Sequence, residues 1–77
     1  MFQKYKDING DSNVVGYEIL TDGIIIEFGG HWRYYYNYSS AGMTSIEIMK
    51  RLAQQGDGLN SFVKRTNPPY VWKKRTG

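Results

Sequence analysis

Seventy-seven residues allow one domain with a single small core and a narrow stability margin. The absence of cysteine excludes disulfide staples and thiolate metal centres, and fits a reducing compartment. The longest apolar run is Ile24-Ile25-Ile26 and the first residues, Met1-Phe2-Gln3-Lys4-Tyr5-Lys6, lack the apolar stretch of a signal peptide, so a soluble cytoplasmic protein without a membrane partner is expected.

The net charge of +3 is unevenly divided. Residues 1–38 hold three cations against five carboxylates, whereas residues 39–77 hold seven cations against Glu47 and Asp57. A half of net charge +5 attracts phosphates or acidic partners, or is simply a solvated surface.

In chain order, residues 1–12 form an arm that mixes Phe2, Tyr5 and Ile8 with charges and ends in the turn formers Asn9-Gly10-Asp11-Ser12. Asn13 to Leu20 alternates as a strand with Val15, Tyr17 and Ile19 on one face. Asp22-Gly23 then supplies a hairpin turn suited to φ > 0, and Ile24 to Phe28 returns. A two-residue Asp22-Gly23 loop pairs Ile19 with Ile26 and Tyr17 with Phe28, and sets Glu18 opposite Glu27. A three-residue Gly29-Gly30-His31 connection pairs Phe28 with Trp32, Ile26 with Tyr34 and Ile24 with Tyr36; it also lays Arg33 against Glu27 to offset the carboxylates. A two-residue loop would turn the aromatic row outward, so the hydrophobic pattern selects the longer one.

Thr44, three residues before Glu47, predicts a capping box, with Met43 stapled to Ile48. Ile46, Ile48, Met49, Leu52 and Ala53 share an arc at about 100° per residue, opposite Glu47, Lys50, Arg51 and Gln54. Gly56 ends this helix, and Asp57 caps a second one presenting Leu59, Phe62 and Val63, with Lys64 and Arg65 in its last turn. Pro68-Pro69 stops it. The segment from Tyr70 to Arg75 reads as an edge strand with Tyr70 and Trp72 packed, or as a basic tail. The expected fold is α+β: a three-stranded antiparallel meander packed on one face by two C-terminal helices, with its core within about residues 13–65.

The order Asn13-Val14-Val15-Gly16-Tyr17, then Ile26-Glu27-Phe28, Tyr34-x-Tyr36, a helix and Gly56-x-Gly58-Leu59-Asn60-x-Phe62 resembles the KTSC domain family. These are small domains named for the C-terminal extension of some lysyl-tRNA synthetases and also found as stand-alone bacterial proteins. The resemblance implies a small α+β domain without an established activity, for which attachment to a synthetase suggests RNA. Family members often carry Val-Pro after the Tyr-x-Tyr, where this chain has Ser39-Ser40-Ala41-Gly42, so the link from strand to helix is expected to differ.

The residues do not read as an enzyme. His31 is the single histidine and lies in a glycine turn without metal-ligand spacing, Glu18 and Glu27 are explained by Arg33, and Gly29-Gly30 leads into a strand rather than a phosphate-binding helix. No cofactor, catalytic residue or metal ligand is expected. The candidate nucleic-acid set, for RNA or another single strand, is Lys50, Arg51, Lys64, Arg65, Tyr70, Trp72, Lys73, Lys74 and Arg75, where cations neighbour aromatics. Its bland alternative is a solvated helix face and a frayed tail. Tyr34 and Tyr36 could stack bases, but the register assigns them to the core; Trp32 and Tyr38, at the row's ends, stay open to either role. Leu20, Ile25 and Tyr35 share the opposite face, expected either to be covered by the arm through Phe2 and Tyr5 or to serve a protein partner.

Overall fold

The computed structural model describes residues 1–8, 10 and 13–77, so the expected turn at 9–12 lies outside it except for Gly10. The chain runs β1 (Gln3–Lys4), β2 (Val14–Leu20), β3 (Gly23–Phe28), β4 (Trp32–Asn37), the helical turn α1 (Tyr38–Ala41), α2 (Met43–Gln55), α3 (Leu59–Thr66) and β5 (Trp72–Arg75). The strands form one antiparallel sheet in the order β1-β2-β3-β4-β5. The α+β class expected from the sequence therefore stands, with two more strands and one more helical turn than expected. The added strands are the outer ones. At two residues β1 is too short to carry the alternation by which a strand is recognised, whereas β5 is the edge strand that the segment from Tyr70 to Arg75 offered as one of its two readings; each is held by the longer neighbour it pairs with.

The β3/β4 register is the expected one, with Phe28 opposite Trp32, Ile26 opposite Tyr34 and Ile24 opposite Tyr36. The connection bends through Gly30 at φ 86° and His31 at φ 65°. Arg33 lies opposite Glu27 and its Nε donates to Glu27 Oε1 at 2.8 Å.

The β2/β3 register differs from expectation by two residues. Leu20 pairs with Gly23, Ile19 with Ile24 and Tyr17 with Ile26, so Thr21-Asp22 is the loop and Gly23 is the first residue of β3. The reason lies across the sheet: a Cβ at Gly23 would run into the Tyr36 carbonyl oxygen and meet Asn37 Cβ at 3.2 Å. Glycine is needed here for close approach rather than for turn conformation. Glu18 accordingly faces Ile25 instead of Glu27, and its Oε2 accepts a hydrogen bond from the Met1 amino group at 3.1 Å. Farther along, a bulge between Val14 and Gly16 changes which residues point inward. Val14 is buried, whereas Val15, expected beside Tyr17, is 49% exposed.

One face of the sheet carries the core. Ile24 and Ile26 pack with Ile46 and Met49 of α2 and Leu59 of α3, all fully buried, and Tyr5, Val14, Phe28, Tyr36, Ala53 and Phe62 complete the cluster. Trp32, open between core packing and ligand contact on the sequence alone, is 37% exposed at the end of its row. Phe2 and Tyr5 were expected to cover the other face together. Only Phe2 does, lying against Gly16 with the Arg33 guanidinium 3.9 Å from its ring centre. Three positions on, Tyr5 falls on the core side, because strand residues alternate faces.

The cap expected at Thr44 is also displaced. Asn37 caps α1: its side chain accepts from Ser40 N while the Ser40 hydroxyl accepts from Asn37 N. Gly42 at φ 89° then opens α2 without a side-chain cap, Thr44 lies within the helix and Met43 is 61% exposed rather than stapled. Asn37→Ala should therefore cost about 1 kcal/mol and Thr44→Ala much less. Urea melts of the two variants check this, and equal losses would contradict the cap assignment. Gly56 ends α2 at φ 76° as expected, its N–H donating to the Leu52 and Ala53 carbonyls. Gly58, not Asp57, occupies the N-cap of α3, because the chain reverses through a second left-handed glycine at φ 85°. None of the described helices is long and apolar enough to cross a membrane.

Candidate functional site

The aromatic row of β4 grades from closed to open. Tyr36 is 3% exposed under the helices, Tyr34 is half-buried and Trp32 is exposed beside the glycine loop. The Tyr34 and Tyr36 rings lie nearly parallel, 15° apart with centroids 6.3 Å apart. Phe28 meets Tyr34 edge to face at 5.3 Å. Tyr70, from the link between α3 and β5, stands across both tyrosines at 5.1 and 6.5 Å with interplanar angles of 83° and 82°. Such T-shaped contacts hold the rings in fixed orientations while leaving other ring surface free. Burial, with Tyr34 and Tyr70 nearby, pushes the Tyr36 phenol far above its usual range, so it stays neutral.

Facing this row is one stripe of α3. Asn60, Val63 and Lys64 recur at i, i+3 and i+4 and so project from the same side of the helix, and Asn67, the left-handed cap that ends it, joins them in lining the cleft. Row and stripe enclose an open cleft of about 380 Å³, completed by Asn13, Phe28, Gly29, Pro68 and Tyr70. Among the lining residues Lys64 is the one charged group, and no carboxylate is present. Lys73 adds a second cation, its Nζ 5.6 Å from the Trp32 ring centre and 5.9 Å from that of Tyr34. Arg75 pairs with Trp32 in the β4/β5 register and so stands on the same side of the sheet.

The nine residues singled out from the sequence thus separate. Lys64, Tyr70 and Lys73 gather at the cleft with Arg75 beside it. Lys50 is engaged elsewhere: its side chain is 13% exposed and Nζ donates to the Thr21 carbonyl at 3.0 Å and pairs with Glu47 Oε2 at 3.1 Å, tying α2 to the β2/β3 turn. Tyr38 joins this tie, its hydroxyl donating to Glu47 Oε2 at 2.6 Å, which holds the Glu47 carboxyl below its usual range and raises the Tyr38 phenol. Arg51 is exposed on α2, and Arg65 on α3 reaches over Phe62. Trp72 and Lys74 lie on the far side of the sheet, Trp72 against Tyr35 at 5.6 Å and Lys74 Nζ 4.8 Å from the Trp72 ring. Leu20 and Ile25, also half-buried, share that face with Tyr35.

Trp32, Asn60 and Asn67 escaped the sequence reading as a set. The repeat legible in α3 was that of Leu59, Phe62 and Val63, and nothing local in the sequence says that Asn60, Lys64 and Asn67 face β4. Among the described residues no group of three or more His, Cys, Asp or Glu side chains could hold a metal ion. No family model matches the chain, and no curated protein or solved structure matches it.

Proposed function

We propose that the protein is a non-catalytic module that binds single-stranded nucleic acid, RNA in the first instance, through the cleft between β4 and α3. The observation that carries this reading is the pairing of open aromatic surface at Trp32 and Tyr70 with Lys64 and Lys73 in a cleft whose lining holds no carboxylate. Bases stack on aromatic faces regardless of sequence, and cations beside them meet the phosphates. The resemblance to the KTSC family points the same way through its link to a tRNA synthetase.

Anisotropy of a labelled oligouridylate tests the reading across a salt series. Three cations near the cleft, Lys64, Lys73 and Arg75, give an expected slope of log affinity against log salt of about −2, since each phosphate contact on a single strand contributes about 0.7. Lys64→Glu with Lys73→Glu should abolish binding and Arg51→Glu should leave it nearly unchanged. Binding that ignores salt, or that fails with Arg51→Glu instead, removes the cleft from the interface. A second reading, a protein-interaction module on the face of Leu20, Ile25 and Tyr35, is favoured by the half-buried apolar surface there and predicts dependence on Tyr35 at any ionic strength.

A further inference from the structure

We infer that the cleft is a socket for one unpaired nucleobase, stacked on the aromatic row and read along its edge by the side-chain amides of Asn60 and Asn67. This rests on the single-strand reading above and adds to it a stoichiometry and a means of discrimination.

Size supports one base. A volume of about 380 Å³ falls at the small end of pockets that hold single small molecules, about 300–1,000 Å³, which suits one nucleotide. The two walls also differ in chemistry. The β4 side is a π surface, indifferent to base identity. On the α3 side, Asn60 in the first turn of the helix and Asn67 at its C-cap both line the cleft, with Val63 and Lys64 between them in sequence. Each amide offers both donors and an acceptor, the combination that matches the hydrogen-bonding edge of a base. Asn67 is further fixed at the end of α3 in a left-handed conformation at φ 46°, its N–H donating to the Val63 carbonyl at 2.8 Å.

Lys73 supplies the coupling between stacking and charge. Its ammonium lies near the Trp32 and Tyr34 rings, where a base would stack. An arriving nucleotide displaces it from the rings and offers it a phosphate, so the cation exchanges one favourable partner for a stronger one. A nucleoside without phosphate offers no such exchange and should bind more weakly than its monophosphate.

The test uses the full chain, ¹⁵N-labelled, titrated separately with the four ribonucleoside 5′-monophosphates, one nucleoside, and homopolymeric RNA octamers. The socket predicts that one monophosphate outranks the others by about tenfold, the scale of one good amide–base contact, and shifts the side-chain amide resonances of Asn60 and Asn67. Asn60→Ala should level the ranking among octamers while leaving the weakest of them unchanged. Asn67→Gly, which keeps the left-handed backbone accessible, should do the same without unfolding α3. If the octamers bind but all four monophosphates rank alike, or if both variants keep the wild-type ranking, the socket is overturned and the single-strand reading stands. If no octamer binds at low salt, both fall. Saturable shifts from a proline-rich peptide, with none from nucleotides, would assign the cleft to polypeptide and overturn the socket.

Discussion

Replacing Ile26 by alanine should cost about 2–5 kcal/mol and lower the melting midpoint by at least ~10 °C. Ile26 is fully buried on the central strand, paired with Tyr17 on one side and Tyr34 on the other, and packed in the core beneath the helices. Truncation there removes apolar contacts on three sides at once, and rigid neighbouring strands cannot collapse into the gap. In a domain of this size the loss is a large share of the total stability. Thermal melts followed by circular dichroism check it, and a midpoint unchanged from wild type would take Ile26 out of the core.

Gly23→Ala adds a single methyl group and should cost about 1–3 kcal/mol or more. The new Cβ would collide with the Tyr36 carbonyl oxygen and press on the Tyr35 ring at 3.0 Å. Backbone cannot swing aside as a flexible side chain can, so β3 and β4 must separate at their paired ends, Gly23 and Asn37. The adjacent bond from Tyr38 N to the Asp22 carbonyl, 2.9 Å long, should weaken with them. Denaturation together with amide exchange at Tyr38 measures both effects. Wild-type stability in this variant would restore Gly23 to the turn, where the Asp-Gly pair first suggested it belonged.

The legible part of this fold was its central hairpin. Only one loop length put Ile24, Ile26, Phe28, Tyr34 and Tyr36 on one face, and that constraint fixed the β3/β4 register together with the Arg33–Glu27 pair. The β2/β3 error came from a rule applied to the right residue for the wrong reason. Asp22-Gly23 suits a turn, but the decisive demand on Gly23 came from Tyr36, thirteen positions away. Likewise Thr44 and Glu47 matched a capping pattern, while Asn37 and Ser40 made the actual one, because the helical region begins straight after β4. At the candidate site the cations were legible as a composition and their partition was not. Which of them share a cleft depends on how α3 packs against the sheet and on the register in which β5 pairs with β4, and both are decided by long-range packing.

Strand β5 has a consequence for solubility. An outer strand offers main-chain hydrogen-bonding groups to any passing strand, and natural sheets guard such borders with lysine. Lys73, Lys74 and Arg75 follow one another along this border. The charge proposed to attract phosphate would then also keep two copies of the protein from joining edge to edge. Substitutions that merely neutralise these residues would remove both effects and turn a loss of binding into precipitation. Reversal to glutamate keeps like copies apart while repelling a nucleic acid, so it isolates recognition from self-association.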